Sequence, residues 1–436
     1  MIVDHFNTVL SGGAAVAARR LHHGLLQKSV QSRFWYARHK GKPIADPTYN
    51  TIQWEPHLAG RLGNLTDRML SLLRRIPLKI ELKKALRGRS HDFELFTSPS
   101  VATTTRLDLT TMSNDIIHLH WIAKMIDWQS FFTSIPNDFP IVWTLHDMNP
   151  FTGGCHHSDQ CNLYRTGCQN CPQLAQSGPH DFSHRSFQLK QTVLHEKQLH
   201  VITPSRWLEE HVRNSFLLQD ASSIQTIHNG LDLQVFRPHD QQAARGKLNL
   251  PPDQTVVGFG AASLKNRRKG FAQLLAAFSQ LKNHREILGF GFGGKKLDKT
   301  NLPLPKLTTV GYQGEPDRLA LAYSAMDLFV LPSWAENMPQ TAIEAMACGT
   351  PVVAFDVGGI SEVVQPLKTG LLAPSKNSQA LAHQIQWLID HPNTRKKMGH
   401  QSRALIEQEF DIQQQTLKHL DLYHSITQRN SFPRAA

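Results

Sequence analysis

The stretch from Asp327 to Gly359, DLFVLPSWAENMPQTAIEAMACGTPVVAFDVGG, most narrows what this chain can fold into. It reads as strand, loop, helix, strand, loop. Pro339 suits the first turn of a helix, Gly349 suits the left-handed position just past its end, and Pro351 prevents continuation. The apolar runs at 327–331 and 351–355, joined by one helix, predict parallel strands buried on both faces. The loops at 332–338 and 356–361 then leave the sheet at one carboxyl end, where open α/β sheets bind ligands.

The same alternation runs along the rest of the chain. In the first half 2–6, 115–119, 140–145 and 200–203 read as strands, Gly12-Gly13 as a tight turn and 14–26 as a helix. IQTIHNGLD at 224–232, followed by Phe236 and Pro238, breaks this rhythm with turn formers and marks a junction. In the second half, strands are expected at 256–260, 287–290 and 307–310. Phe271, Leu274, Leu275, Phe278 and Leu281 mark one face of a helix, and 317–326 reads as another. At 436 residues the chain is too long for one ordinary core. The fold class expected is α/β, with two doubly wound parallel-sheet, Rossmann-like domains facing a cleft. Residues 1–232 form the first domain and 233–410 the second. The last helical stretch, within 411–436, is expected to cross back to the first.

Glu336 falls in the first loop of the 327–359 segment, and Glu344 lies two turns on, inside the helix. Amides at a helix start hold phosphate, and carboxylates accept hydrogen bonds from hydroxyls. A pocket offering both suits a sugar nucleotide. The Glu-x7-Glu spacing within PSWAENMPQTAIEAMACGTPVVAFDVGG resembles the signature of family 4 retaining glycosyltransferases of the GT-B fold. The resemblance extends over nearly the whole chain. Gly12-Gly13 looks like the glycine loop after the first strand, TLHD at 144–147 like the active-site histidine segment, and IHNGLD at 227–232 like the interdomain linker. Arg268-Lys269-Gly270 resembles the basic turn that meets the donor diphosphate, and Gly358-Gly359 the later glycine loop. HLHW, TLHDMNPFTGGCH and the cysteines after them look like a subgroup that makes bacterial surface polysaccharide: colanic acid, lipopolysaccharide or exopolysaccharide.

The resemblance implies a role for each matched residue. Glu336, His146 and Lys269 would be catalytic, with Glu336 beside the reacting carbon. Arg268, Lys269, Asn337, Met338, Pro339, Glu344, Gly358 and Gly359 would bind the donor, Glu344 through the ribose hydroxyls. Gly12, Gly13 and His120 would belong to the acceptor and diphosphate side. No metal is required for catalysis, because cationic groups offset the charge on the leaving diphosphate. The family often has an arginine about six residues before Lys269. Ser263 stands there, with Lys265 or Arg267 as substitutes. Taken from the residues alone, His120 instead helps order the end of its strand, and His146 ends a strand on the ligand-binding edge.

Four of the five cysteines cluster as Cys155-x5-Cys161-x6-Cys168-x2-Cys171 in a loop-like segment, 150–173. Structural zinc is one reading, with His156 or His157 able to replace a ligand; disulfides and buried thiols are the others. Lys and Arg outnumber Asp and Glu 47 to 35, a net +12. Nine of those bases fall within 61–89, against Asp67 and Glu81, interleaved with leucines such as Leu62, Leu65, Leu82 and Leu86. Such a stretch fits an anionic membrane surface; a pair of solvated amphipathic helices is the plain alternative. It lacks aromatics for base stacking, which argues against nucleic acid. With no leader-like N-terminus and no spanning apolar run, the expected location is the cytoplasm, at the inner face of the membrane.

The expected activity is retaining transfer of a sugar from a UDP- or GDP-sugar to a glycan acceptor, lipid-linked, in surface polysaccharide synthesis. A sugar-nucleotide epimerase or hydrolase of the same architecture is the rival enzyme, distinguishable by turnover of donor alone. A basic nucleic-acid-binding protein is the rival from another class, distinguishable by binding at physiological salt.

Overall fold

The computed structural model describes residues 1–38, 44–51, 76–101, 113–261, 263, 266–293, 305–311 and 315–430. The chain divides into two compact units, Met1–Ile227 with the segment from Thr416 onward, and His228–Gln415.

The first unit is built on seven strands: β1 (Ile2–Val9), β2 (Gln31–Arg38), β3 (Tyr49–Thr51), β4 (Ile116–Leu119), β5 (Ile141–Thr144), β6 (Leu199–Thr203) and β7 (Ser223–Thr226). They form one parallel sheet in the order β3-β2-β1-β4-β5-β6-β7. Its helices are α1 (Gly13–Gln27), α2 (76–85), α3 (Trp128–Thr133), α4 (Phe182–Leu194) and α5 (Arg206–Arg213). The connection from β3 to β4 reverses the direction in which strands are added, so the topological switch lies between β1 and β4.

The second unit opens with α6 (Gln241–Lys247), then β8 (Thr255–Gly260), α7 (Phe271–Phe278), β9 (Ile287–Phe292), β10 (Lys306–Thr309), α8 (Pro316–Ser324) and β11 (Leu328–Leu331). It continues with α9 (Gln340–Ala347), β12 (Val352–Phe355), α10 (Ile360–Val363), β13 (Gly370–Ala373), α11 (Ser378–Asp390) and α12 (Pro392–Glu409). The sheet order β10-β9-β8-β11-β12-β13 is again parallel throughout and puts the switch between β8 and β11. Val256, Phe329, Val352 and Ala354 are buried because both sheet faces carry helices, as the continuous apolar runs require.

One local reading of the sequence needs correction, and one strand was missed. Residues 224–226 are not part of a turn-rich junction: Ser223–Thr226 is the last strand of the first sheet, and the second unit begins at His228. SIQT is polar because it lies on the sheet edge, only partly buried. The strand QSRFWYAR at Gln31–Arg38 also escaped the apolar-run reading. Its Arg33 is accounted for by buried Asp4: Nε and Nη2 each donate to that carboxylate at 2.7 Å, and Trp35 Nε1 adds a third bond.

The last helix, α13 (Ile412–Asn430), joins the first unit from Thr416 onward. Leu422, Tyr423 and Ile426 pack with Val3, Leu21, Ile116 and Val142. The Tyr423 hydroxyl lies 2.6 Å from His118 Nδ1 on β4. Tyr423→Ala should lower stability by about 3–5 kcal/mol through lost burial, and Tyr423→Phe by about 1–3 kcal/mol, because it strands a buried imidazole nitrogen. Urea denaturation checks both; a wild-type midpoint in the alanine variant would contradict this role for the helix.

Candidate functional site

In the second unit the candidate donor residues come together at the switch point, after β8 and β11. After β8 the chain makes a short 3-10 turn, Arg267–Lys269, capped by the Asn266 side chain, which accepts from the Arg268 amide at 2.9 Å. Gly270 closes the turn at φ +68, and a Cβ there would meet the Pro332 carbonyl at 1.7 Å. Only glycine lets the basic turn lie against the loop after β11. The Trp334 amide then donates to the Arg268 carbonyl at 2.8 Å.

That docking sets Lys269 Nζ 2.5 Å and Arg268 Nη1 3.2 Å from one Glu336 oxygen. Arg268 also donates to the Ala335 carbonyl. Burial alone would raise the Glu336 pKa, but Lys269 and then Arg268 outweigh it and hold the carboxyl down at about 2. The loop after β12 seals the other side. Gly358, at φ +59, has no room for a Cβ beside the Glu336 carbonyl, and the Gly359 amide donates to the Asn337 carbonyl at 3.1 Å. Asn337 and Met338 are buried just before α9, with Pro339 as its N-cap. Glu344, inside α9, is buried and accepts from the Tyr323 hydroxyl at 3.1 Å.

The unit therefore gathers Arg268, Lys269, Glu336, Asn337, Gly358 and Gly359 into one constellation, with Glu344 eight residues on. Tyr323, which orients Glu344, had no local sequence signal, because it reaches Glu344 from another helix. Ser263 is exposed, Arg267 is exposed on the 3-10 turn, and Lys265 lies outside the described residues.

In the first unit the corresponding strand ends carry imidazoles. His5 and His118 are register partners on β1 and β4, and His120 follows on the same face as His118. His5 Nδ1 is 3.0 Å from His120 Nε2, and His120 Nδ1 is 3.3 Å from His146 Nε2. Gly12 and Gly13 are exposed where α1 begins, Gly12 at φ +94. His120 is deeply buried, and His146 is half-buried. Beside His146, Asp147 accepts from Trp121 Nε1 at 2.8 Å and lies 2.6 Å from His156 Nδ1. Burial pushes the Asp147 pKa up, but the His156 contact and hydrogen bonds hold it at about 2. Beneath this loop Lys190 is fully buried. It donates to the carbonyls of Asn149 and Thr152, and burial lowers its pKa to about 8. Asp147 was legible within TLHD, and His5 was a polar residue in an apolar strand. Lys190 carried no such mark.

Among the described residues, His5, His118 and His120 are the one trio of ligand-type side chains whose ligand atoms lie within 4.8 Å of one another. They do not suit a metal as placed, because His118 spends both nitrogens, on Tyr423 and on Thr144 at 2.8 Å. The four cysteines line a single cavity of about 20 Å³ without forming such a trio. Burial raises the pKa of Cys155 to about 12 and also raises those of Cys168 and Cys171, so without a cation they stand as thiols.

Residues 240–405 match the family model described as glycosyl transferases group 1. The D-inositol 3-phosphate glycosyltransferase of Mycobacteroides abscessus is 35% identical over 196 residues, 43% of each chain. The match thus spans less than half the length of this curated relative. Two solved structures align along nearly the whole chain. Sucrose-phosphate synthase from Thermosynechococcus elongatus has a TM-score of 0.68 at 21% identity, covering 98% of this chain and 100% of that one. Anabaena HepE in complex with UDP has a TM-score of 0.62 at 17% identity, with the same coverage. The chain therefore has the GT-B fold, built from two doubly wound parallel-sheet units.

The buried imidazoles make stability depend on pH. Burial lowers the pKa of His5, His118 and His120 well below 6.5, of His22 to about 3 and of His146 to about 4. Each binds a proton more readily unfolded than folded, so its contribution is full above pH 6.5 and is lost as pH falls toward the folded values. The thermal midpoint should be flat from pH 8 to about 7 and fall steadily below about 6.5, with roughly two or more protons taken up on unfolding at pH 5. A midpoint unchanged between pH 7.5 and 5 would contradict the burial of these rings in neutral form.

Proposed function

We propose that this chain transfers a sugar, with retained configuration, from a nucleoside diphosphate sugar to a glycan acceptor. The observation that carries this reading is Glu336, held ionised between Lys269 and Arg268 at the switch point of the second unit. Arg268, Lys269 and Glu336 together carry a net +1 before any ligand arrives. A diphosphate meets both cations at a helix start, and Glu344 remains to accept from ribose hydroxyls. Departure of the diphosphate is eased by Lys269, Arg268 and the amides near Asn337 and Met338, while Glu336 lies beside the reacting carbon. The acceptor hydroxyl attacks from the face the leaving group vacates, and no catalytic metal is required. The group 1 match over 240–405 supports the donor half, as does the UDP complex of the Anabaena neighbour. UDP- and GDP-sugars are both candidate donors.

The acceptor reading is a lipid-linked glycan of bacterial surface polysaccharide, handled at the inner face of the cytoplasmic membrane. Its support lies in the part of the basic stretch that is described. On α2 Ile76 and Ile80 are each 49% exposed, among exposed Lys79, Lys83 and Lys84, with exposed Arg87 in the turn that follows. Residues 61–75 lie outside the described residues. No helix among the described residues is long and apolar enough to cross a membrane, so contact would be peripheral. Vesicles containing anionic lipid should carry the protein upward in flotation at low salt, and neutral vesicles should not. No flotation with either would overturn this contact.

A structural zinc on Cys155, Cys161, Cys168 and Cys171 is also proposed. Its support is their convergence on a cavity the size of a single small occupant, and it requires the sulfurs to close in and ionise. Metal analysis should return about one zinc per chain. Metal-free protein whose four thiols all react in denaturant would overturn it.

The transfer reading is tested by Lys269→Ala and Glu336→Ala. Each should lose on the order of 10²–10³-fold in sugar transfer while keeping a native circular dichroism spectrum. Full transfer in either variant would contradict the assignment.

A further inference from the structure

The three imidazoles at the switch point of the first unit form a chain whose hydrogens can be counted. His5 Nδ1 faces His120 Nε2 at 3.0 Å, and His120 Nδ1 faces His146 Nε2 at 3.3 Å. Each contact holds one proton, and a neutral imidazole carries one N–H. Three neutral rings with two shared protons leave a third proton for one of the two ends. It sits either on His146 Nδ1 or on His5 Nε2.

The two ends are not equivalent. His5 Nε2 is buried and has no hydrogen-bond partner. A bare acceptor left there costs less than an orphaned N–H, which native interiors almost never hold. The third proton therefore goes to His146 Nδ1. His5 then donates from Nδ1 to His120 Nε2, and His120 donates from Nδ1 to His146 Nε2.

We infer that His5 and His120 are positioning residues that fix His146 as a hydrogen-bond donor through Nδ1, with its Nε2 lone pair already occupied. In this tautomer His146 holds an oxygen of a bound sugar or phosphate and does not take the proton of an acceptor hydroxyl. The contact to a sugar or phosphate oxygen rests on the transfer reading above; the tautomer does not.

The surroundings of the chain keep it neutral. His118 on β4 lies against the rings of His5 and His120, with the Tyr423 hydroxyl of α13 on its far nitrogen, and the charges of His22 on α1 and His419 on α13, like burial, work against protonation of His5 and His120. Asp147 beside His146 is the one neighbour that favours the charged ring, and burial outweighs it.

The test is long-range ¹H–¹⁵N correlation on the full chain with ¹⁵N-labelled histidine and no ligand, from pH 8 to 5.5. His146 should show a protonated Nδ1 and a bare Nε2 at every pH, with no titration. His146 protonated at Nε2, or titrating near 6.5, overturns the inference whether or not the protein transfers sugar. In His120→Phe the Nε2 partner is gone, so His146 should become a mixture of its two neutral tautomers. An unchanged His146 signal in that folded variant also overturns it, and if the variant does not fold the wild-type spectrum alone decides. In a transfer assay His146→Gln, which keeps a donor, should retain at least about tenfold more activity than His146→Glu, a difference of about 1.4 kcal/mol. Equal loss in both, with the expected wild-type tautomer, would tell against the donor role and leave the tautomer standing.

Discussion

A buried carboxylate is tolerable only while its cations stay within reach, and Glu336 with Lys269 and Arg268 is the point on which the second unit is organised. Lys269 is on the turn after β8 and Glu336 on the loop after β11, two strands that are neighbours only because the winding of the sheet reverses there. Gly270 and Gly358 exist in the form they do so that these loops can touch. Removing one cation leaves the carboxylate desolvated and underpaired, and the three side chains together keep one positive charge to spare.

The first unit solves a similar problem without net charge. Its switch point is filled by neutral rings, and several of the polar groups it buries are matched to others in the interior: Asp4 to Arg33 and Trp35, His118 to Tyr423 and Thr144, Lys190 to two carbonyls. The C-terminal helix matters here because it supplies Tyr423. A helix more than three hundred residues distant in sequence thus helps define the environment of β4.

Much of this was legible beforehand where local chemistry and period agreed. The strand-loop-helix-strand segment at 327–359 announced itself through Pro339, Gly349 and two apolar runs, and it folds as β11, α9 and β12. The basic turn and the Glu-x7-Glu spacing could be named, but not the contact that joins Lys269 to Glu336, since 67 residues separate them. Strands escaped where their polar residues answer distant partners, as Arg33 in β2 answers Asp4, or where an edge position permits polarity, as in β7. Likewise Tyr323 and Lys190 act through tertiary contacts that no spacing rule encodes. His120 and His146 were visible singly; His5, and the order of the three as a chain, needed the register of β1 against β4.

The central claim is that the second unit is built to hold a nucleoside diphosphate, and ligand-induced stabilisation reads it most directly. A ligand that binds only the folded state raises the melting midpoint, by about 2.7 kcal/mol of stability at a hundredfold excess over its dissociation constant. Either UDP or GDP, with its sugar conjugates, should raise the midpoint of the wild-type chain in a saturable way. The free nucleoside should raise it far less, and Lys269→Ala should abolish the difference between diphosphate and nucleoside. A midpoint unmoved by every nucleoside diphosphate and nucleotide sugar would contradict the account at its root.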